Sequence, residues 1–555
     1  MGQEHVNSPG KQAWAGVPPL QPIPDSIQSL GTAFARTMAK QPNALAFADS
    51  TKTKLSYRQT MQRATALARV LGRTVGPGRY VGILLPPTVA AAVTNLAVTL
   101  LGKIPVNLNY TVSESVVNSC IDQCELSHVI SSRRALEKFP IKPKVPVILL
   151  EDVPKLISRL DKLVAAVASY SPKLLAPAFL PGLRGNRMEE TATVIFTSGS
   201  TGDPKGVMLS HRNVLSNVFG IGQHVDLSPK DTVLGILPFF HSFGFTVTLW
   251  TVLGQGLKAV YHFSPLDAKI IGGLSEEFGA TVMAATPTFM RSYMQRCKPE
   301  QFAKLRLLIL GAEKLKPETA QEIEDRLKVI PLEGYGCSET GPVVSVNVPV
   351  SVRSRSGESI PGNRRGTVGR PLPGTEVRTV DVQTGALLPV GQEGIIEVRG
   401  PQIMQGYLNR AEATSAVLRD GWYSTGDLGF VDQDGFLSIT DRLSRFAKIG
   451  GEMVPHHAVE SAIAQVAGVS DASLVVTSVP DPKRGERLVV LHTGLPLTPE
   501  ATCARLTAGS TPKLWLPAPS DFIQVESIPV LGTGKLDLRE IRRVAIERSG
   551  GTAPA

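Results

Sequence analysis

At 555 residues the chain is too long for one ordinary hydrophobic core, and its length calls for roughly three or four units of packing. Hydrophobic residues make up 42% and charged residues 19%, a globular balance that excludes global disorder. The formal net charge of +10 suits anionic ligands, an acidic carrier protein or an anionic membrane surface. With no recognition-helix pattern and no paired-cysteine zinc spacing, it does not argue for nucleic acid.

Residues 1–25 are polar and rich in Pro and Gly, lack an apolar signal core, and read as a flexible extension. Apolar spacing predicts a helix over Ser26 to Lys40, a short strand over Ala44 to Phe47, and a longer helix from Tyr57 to Leu71. Tyr80 to Leu85 is a buried-strand run closed by Pro86-Pro87. Val89 to Leu101 supplies the next helix; broken by Thr94 and Asn95, it is too short to span a bilayer. Ile104 starts another strand, and the alternation recurs at Val129-Ile130, Val147 to Leu150, Thr281 to Ala284 and Leu307 to Leu310. Strands alternating with helices imply βαβ units and a mostly parallel sheet covered on both faces. The stretch from Lys173 to Arg187 reads as a crossing between subdomains.

The cysteines, Cys120, Cys124, Cys297, Cys337 and Cys503, are odd in number and scattered. That is no disulfide framework, and a reducing, cytoplasmic compartment follows, with peripheral contact at an inner membrane face left open. Cys120 and Cys124 on one helix read as metal ligands or as buried thiols, the second being the better reading because no other pair accompanies them.

One loop organises the rest. After the strand Ala192 to Phe196 comes Thr197-Ser198-Gly199-Ser200-Thr201-Gly202-Asp203-Pro204-Lys205-Gly206, and His211 then reads as the opening of a helix. Glycines let backbone N–H groups curl around a multiply charged anion, hydroxyls add donors, and lysine adds a point charge. The composition suits a nucleotide polyphosphate. It is neither a Walker loop nor a serine-hydrolase elbow. Downstream lie Pro238-Phe239-Phe240-His241-Ser242-Phe243, then Gly311-Ala312-Glu313 after a strand, and Tyr335-Gly336-Cys337-Ser338-Glu339. Thr425-Gly426-Asp427 precedes Asp434-Gly435, a hairpin turn signal, and Asp441-Arg442; Gly532-Thr533-Gly534-Lys535 closes the series. A lone histidine such as His241 is more often structural than functional, and its aromatic neighbours read as core or as the wall of a ligand pocket.

In order and spacing, these blocks resemble the adenylate-forming superfamily of acyl-CoA synthetases, peptide-synthetase adenylation domains and luciferases. The resemblance implies an α/β fold: a large N-terminal domain of layered βαβ subdomains plus a small β-rich subdomain (residues 26–442), and a small, mobile α+β C-terminal domain (residues 443–555). It implies ATP and Mg²⁺ as well. Thr197, Ser198, Gly199, Ser200, Thr201, Gly202 and Lys205 would take the phosphates, and Gly311, Ala312, Glu313, Tyr335 and Gly336 the adenine and acyl group. Ser338 would donate to the α-phosphate, Glu339 would hold Mg²⁺, and His241 would lie beside the substrate carboxylate. Asp427 and Arg442 would meet the ribose, and Lys535 would bridge carboxylate and α-phosphate. Ser444 stands where the family's hinge has Asp or Lys. The segments from Arg445 to Val454 and from Pro342 to Asn347 resemble the acyl-[acyl-carrier-protein] synthetase part of bacterial 2-acylglycerophosphoethanolamine acyltransferase. No acyltransferase domain is expected ahead of residue 25, so the expectation is a stand-alone synthetase.

The implied reaction is ATP-dependent activation of a medium- or long-chain fatty acid, followed by transfer to the phosphopantetheine thiol of acyl carrier protein or coenzyme A. Two rivals stand beside it: a ligase for an aryl or amino acid, and a catalytically silent nucleotide-binding homologue.

Overall fold

The structure is a computed structural model; it describes residues 18–171, 179–197, 204–350, 352–353, 359–449, 452–469, 473–509, 511–530 and 536–549. The chain divides into two compact units. The larger extends to Ser438 apart from short stretches, and the smaller comprises Gly426–Gly429 with the chain from Ile439 onward.

A nine-stranded sheet forms the spine of the larger unit. From one edge it runs Arg370–Pro371, Val343–Val346, Pro331–Gly336, Leu307–Leu310, Val282–Ala285, Thr232–Gly235, Lys258–Tyr261, Leu45–Asp49 and Lys54–Ser56. The six central strands are parallel, and antiparallel strands close the two sides. Val282–Ala285 and Leu307–Leu310 are buried along their whole length, as a sheet covered on both faces requires. A second, all-parallel sheet orders Ile104–Asn107, Tyr80–Ile83, Val129–Ser131 and Val147–Leu149. The β-rich part joins Glu376–Val380, Gly394–Arg399, Trp422–Val431 and Leu418–Arg419, with Leu437–Arg442 paired to Trp422–Val431. The Asp434-Gly435 turn is present, with Gly435 N–H donating to Asp432 O at 2.9 Å.

Helix starts follow side-chain chemistry. The first helix opens at Leu30 rather than Ser26 because Ser29 caps it in a reciprocal box with Thr32. Ser56 and Gln59 do the same for Tyr57–Thr74. The aromatic and apolar residues after His241 coil rather than extend: Phe243–Trp250 is a π-helix that passes into the α-helix Thr251–Gln255. Threonine hydroxyls stabilise the wide turns, Thr248 donating to Gly244 O at 2.7 Å and Thr251 to Thr246 O at 3.0 Å.

All five cysteines are free thiols. Cys120 and Cys124 sit in an apolar cluster with Val117 and Ile121, and burial pushes the Cys120 thiol up to about 12. Both are buried free thiols, as the second reading expects.

The helix Arg159–Tyr170 packs against Tyr57–Thr74 through a buried carboxylate. Asp161 accepts from Arg69 Nε at 2.7 Å, from Arg73 at 2.8 and 3.0 Å, and from the Ser158 N–H at 2.9 Å. Arg73 first, with the Ser158 and Arg69 hydrogen bonds, holds this carboxyl well below the usual carboxylate range despite its burial. Its contribution is therefore present above the unfolded-state value and lost as pH falls. Asp161→Asn should cost about 2–3 kcal/mol at neutral pH by urea unfolding, the gap to wild type narrowing below about pH 4.

The smaller unit is α+β. Its sheet orders Glu452–Pro455, Phe446–Ile449, Gly485–His492 and Leu474–Asp481, with Phe522–Gln524 parallel to Gly485–His492. Alternate residues serve two cores: Leu474, Val476, Leu488 and Val490 face one, and Val475, Val479, Val489 and Leu491 the other.

Candidate active site

Parallel strands deliver their loops to one edge of a sheet, and in open α/β sheets ligands bind outside the carboxyl ends. Three sequence-predicted segments leave the central strands of the nine-stranded sheet at those ends. Gly311 follows Leu307–Leu310, Tyr335 and Gly336 close Pro331–Gly336, and His241 follows Thr232–Gly235 by a short turn.

Gly311 is buried and must be glycine or something nearly as small: a Cβ there would lie 3.2 Å from Gly334 O and 3.6 Å from Phe243 Cε1. Those distances bring the loops at 243, 311 and 334 together. Ala312 is exposed with φ +71°, a left-handed turn. Glu313 turns to the helix Pro287–Arg296, accepting from Thr288 Oγ1 at 2.7 Å and from Thr288 N–H at 3.3 Å. Tyr335 is half-buried in register with Ser345. A Cβ on Gly336 would stand 1.9 Å from Pro342 O, so no other residue fits that backbone.

Ser338 and Glu339 lie in a short 3-10 turn after the strand. The Ser338 and Ser242 hydroxyls are 3.1 Å apart, which ties this turn to the loop of half-buried His241. Glu339 is 8% exposed. Its Oε1 accepts from the Tyr407 hydroxyl at 2.8 Å, and its carbonyl accepts from Met404 N–H at 2.8 Å. Burial first and the Glu339 carboxylate second push the Tyr407 phenol well above its ordinary value, so it remains a donor at physiological pH. Magnesium is usually bound through one or two carboxylates plus substrate phosphates, not by a protein cage. A single buried carboxylate with one oxygen engaged by a phenol suits that manner of binding.

The glycine-rich loop differs from the strand-to-helix reading. Thr191–Thr197 is followed by an antiparallel strand, Lys205–Ser210, with Thr197 opposite Lys205 and Phe196 opposite Gly206. Val207, Met208 and Leu209 favour an extended chain, and Gly206 lets it pass Val194, whose Cγ1 would be 2.9 Å from a Cβ. The helix does open at His211, behind the Ser210 cap. Lys205 is half-buried, its Nζ 5.2 Å from the centre of the Tyr407 ring. Ser198, Gly199, Ser200, Thr201 and Gly202 lie outside the described residues, as does Lys535.

In the smaller unit Arg442 Nε donates to Asp427 Oδ1 at 2.6 Å, the aspartate side chain being 9% exposed and the arginine 51%. Ser444 belongs to the 3-10 turn Leu443–Arg445, and Arg445 is ion-paired with Glu460.

Two residues escaped the sequence reading. Tyr407 holds Glu339, lies beside Lys205, and is itself hydrogen-bonded to Tyr423; Ser242 links two loops. No local spacing marks either one, since Tyr407 and Glu339 are 68 positions apart.

The model of the AMP-binding enzyme family matches residues 34–408. A long-chain-fatty-acid–CoA ligase of Escherichia coli O157:H7 is 30% identical over 94% of this chain and 96% of its own length. Among solved structures, ATP-bound MatB of Rhodopseudomonas palustris matches with a TM-score of 0.75 at 26% identity, over 93% of this chain and 99% of that one. The fold alone is shared with a Mycobacterium tuberculosis fatty acyl CoA synthetase, with a TM-score of 0.70 at 21% identity, covering 94% of this chain and 99% of that one. With the family match covering well over half of the sequence and the sheet-edge loops arranged as described, this chain belongs to the AMP-binding enzyme family.

Proposed function

We propose that this protein activates a fatty acid with ATP and passes the acyl group to a phosphopantetheine thiol. In the first half-reaction a carboxylate oxygen attacks the α-phosphorus and expels pyrophosphate, leaving an acyl-adenylate. In the second the thiolate sulfur attacks the acyl carbon and AMP departs, the thiol proton going to solvent. Hydroxide is a poor leaving group and AMP a good one, which is the chemical reason for the detour.

The observation that carries this reading is the buried Glu339, fixed by Tyr407 and tied through Ser338 to the His241 loop, at the carboxyl edge of a parallel sheet. Charge building on phosphoryl oxygens is best met by groups already in position. Glu339 would hold Mg²⁺, which when bound neutralises phosphate charge. Ser338 would donate to the α-phosphate, and Thr197, Lys205 and the intervening Ser198–Gly202 to the rest of the triphosphate. Tyr335, Gly336, Gly311, Ala312 and Glu313 would border adenine and acyl group. His241 would position the carboxylate, Asp427 and Arg442 would meet the ribose, and Lys535 would bridge carboxylate and α-phosphate. Residues 443–555 as a mobile domain, turning on the segment around Ser444, belong to the same reading, as does a cytoplasmic setting.

The name of the E. coli O157:H7 relative supports a long-chain acid and coenzyme A. The motif resemblance around Arg445–Val454 keeps acyl carrier protein as the alternative acceptor. An ATP–pyrophosphate exchange assay over a carboxylic-acid panel tests the acid, and competition between coenzyme A and holo-carrier protein tests the acceptor. Medium- or long-chain acids should exceed aryl and amino acids in kcat/KM by about a hundredfold, because a pocket built for an alkyl chain leaves polar substituents unpaired. An aryl or amino acid outpacing every fatty acid would overturn the assignment.

A further inference from the structure

The helix Arg159–Tyr170 is apolar on two sides. One side, with Val164, Ala165 and Ala168, is buried toward Tyr57–Thr74. The other has no covering element among the described residues: Leu160 is 54% exposed, Leu163 61% and Tyr170 69%, with half-buried Val167 between them. Positions 160, 163, 167 and 170 fall on one stripe of a helix. Leu156, in the preceding turn, is a further 50% exposed. Exposed leucines scattered singly need no explanation, but an ordered row of them does.

The flank of the stripe is cationic. Arg159 and Lys162 are exposed and border it. The helix's one acid, Asp161, is on the opposite side, fully buried beneath Arg69 and Arg73. Nearby Asp152 is engaged by Arg133 at 2.6 Å and Lys155 at 3.0 Å, and Glu151 accepts from the Arg133 N–H at 3.0 Å with the Arg133 guanidinium 4.0 Å away, so two cations offset these two acids. At the far end the Arg58 guanidinium sits 4.4 Å over the Tyr170 ring. No described helix is long and apolar enough to cross a membrane.

We propose that this face docks the protein on an anionic lipid surface. Leu160, Leu163 and Leu156 enter the boundary between headgroups and acyl chains, Arg159 and Lys162 meet lipid phosphates, and Tyr170 keeps its phenol at the wet edge. Charge selects lipid over a second copy of the chain, because self-pairing would bring the exposed Arg159 and Lys162 of both faces together. The inference deepens the proposed function and rests on it in one respect: a bilayer is where a long-chain acid partitions, so docking brings the site to its substrate.

Full-length protein is sedimented with vesicles of phosphatidylglycerol and phosphatidylcholine, and with vesicles of phosphatidylcholine alone. Wild type should pellet with the anionic vesicles. The double substitution Leu160→Gln with Leu163→Gln should lower the partition coefficient about tenfold or more, and Arg159→Gln with Lys162→Gln should abolish the preference for anionic lipid. Both variants should keep wild-type unfolding curves and octanoate-dependent pyrophosphate exchange. Wild type remaining in the supernatant, or variants that bind like wild type, would overturn the proposal. So would a dimer in sedimentation equilibrium that the leucine variant dissociates, which would make the face a contact between copies. Vesicle binding through this face without exchange on any carboxylic acid would overturn the ligase reading and leave docking intact; exchange without binding would do the reverse.

Discussion

Replacing Glu339 by glutamine should lower kcat/KM for ATP–pyrophosphate exchange about a thousandfold, some 4 kcal/mol of transition-state stabilisation. The substitution keeps shape and keeps an oxygen for the Tyr407 hydroxyl, which now donates at 2.8 Å to Oε1. It removes only the negative charge, at a position 8% exposed where solvent cannot replace it. The backbone link from Met404 N–H to Glu339 O is untouched, so unfolding curves should superimpose on wild type. The loss should be steepest at low magnesium concentration. A folded Glu339→Gln protein keeping more than about a tenth of wild-type exchange would show that the carboxylate has no such role.

Lys535→Ala should divide the two half-reactions. Exchange should fall by about a hundredfold to a thousandfold, since an ammonium at the developing phosphoryl charge acts in the adenylation step alone. Conversion of supplied acyl-adenylate to thioester should stay within about threefold of wild type, because AMP is then already the leaving group. The residues flanking the loop are well fixed: Val530 and Leu536 form an antiparallel bridge, and Asp537 N–H donates to Pro529 O at 3.0 Å. Removing the side chain should therefore leave the fold alone. Equal loss of both half-reactions in a folded variant would count against one lysine serving one step.

What was legible in the sequence is what local rules control. The parallel sheet announced itself through runs such as Leu307–Leu310, apolar at every position because both faces are covered. The turns at Gly311 and Gly336 stood out because the first is tight for any side chain and the second admits none, a constraint that leaves glycine in a recognisable string. The second strand after the glycine-rich loop was missed because Lys205, Pro204 and Gly206 weigh as turn residues, while pairing with Thr191–Thr197 and with Gly406–Tyr407 is decided elsewhere in the chain. The π-helix Phe243–Trp250 was missed for a related reason: Phe, Val, Thr and Trp lean toward strands, and only threonine hydroxyls turned back on the helix's own carbonyls favour the wider coil. Tyr407 could not be found by spacing at all. Its role exists only once the strand Gly406–Tyr407 lies against Lys205–Ser210 and sets the phenol on Glu339.

The seating of Leu45–Asp49 beside Lys258–Tyr261 bears on how the protein is made. Phe47 pairs with Leu55 on one side and Ala259 on the other, so on the ribosome this apolar strand finds its hairpin partner at once, while its parallel side must wait for more than two hundred further residues. Until then it is a sticky edge on a nascent chain, and a slow stretch of translation or a scarcity of chaperones would be felt there first.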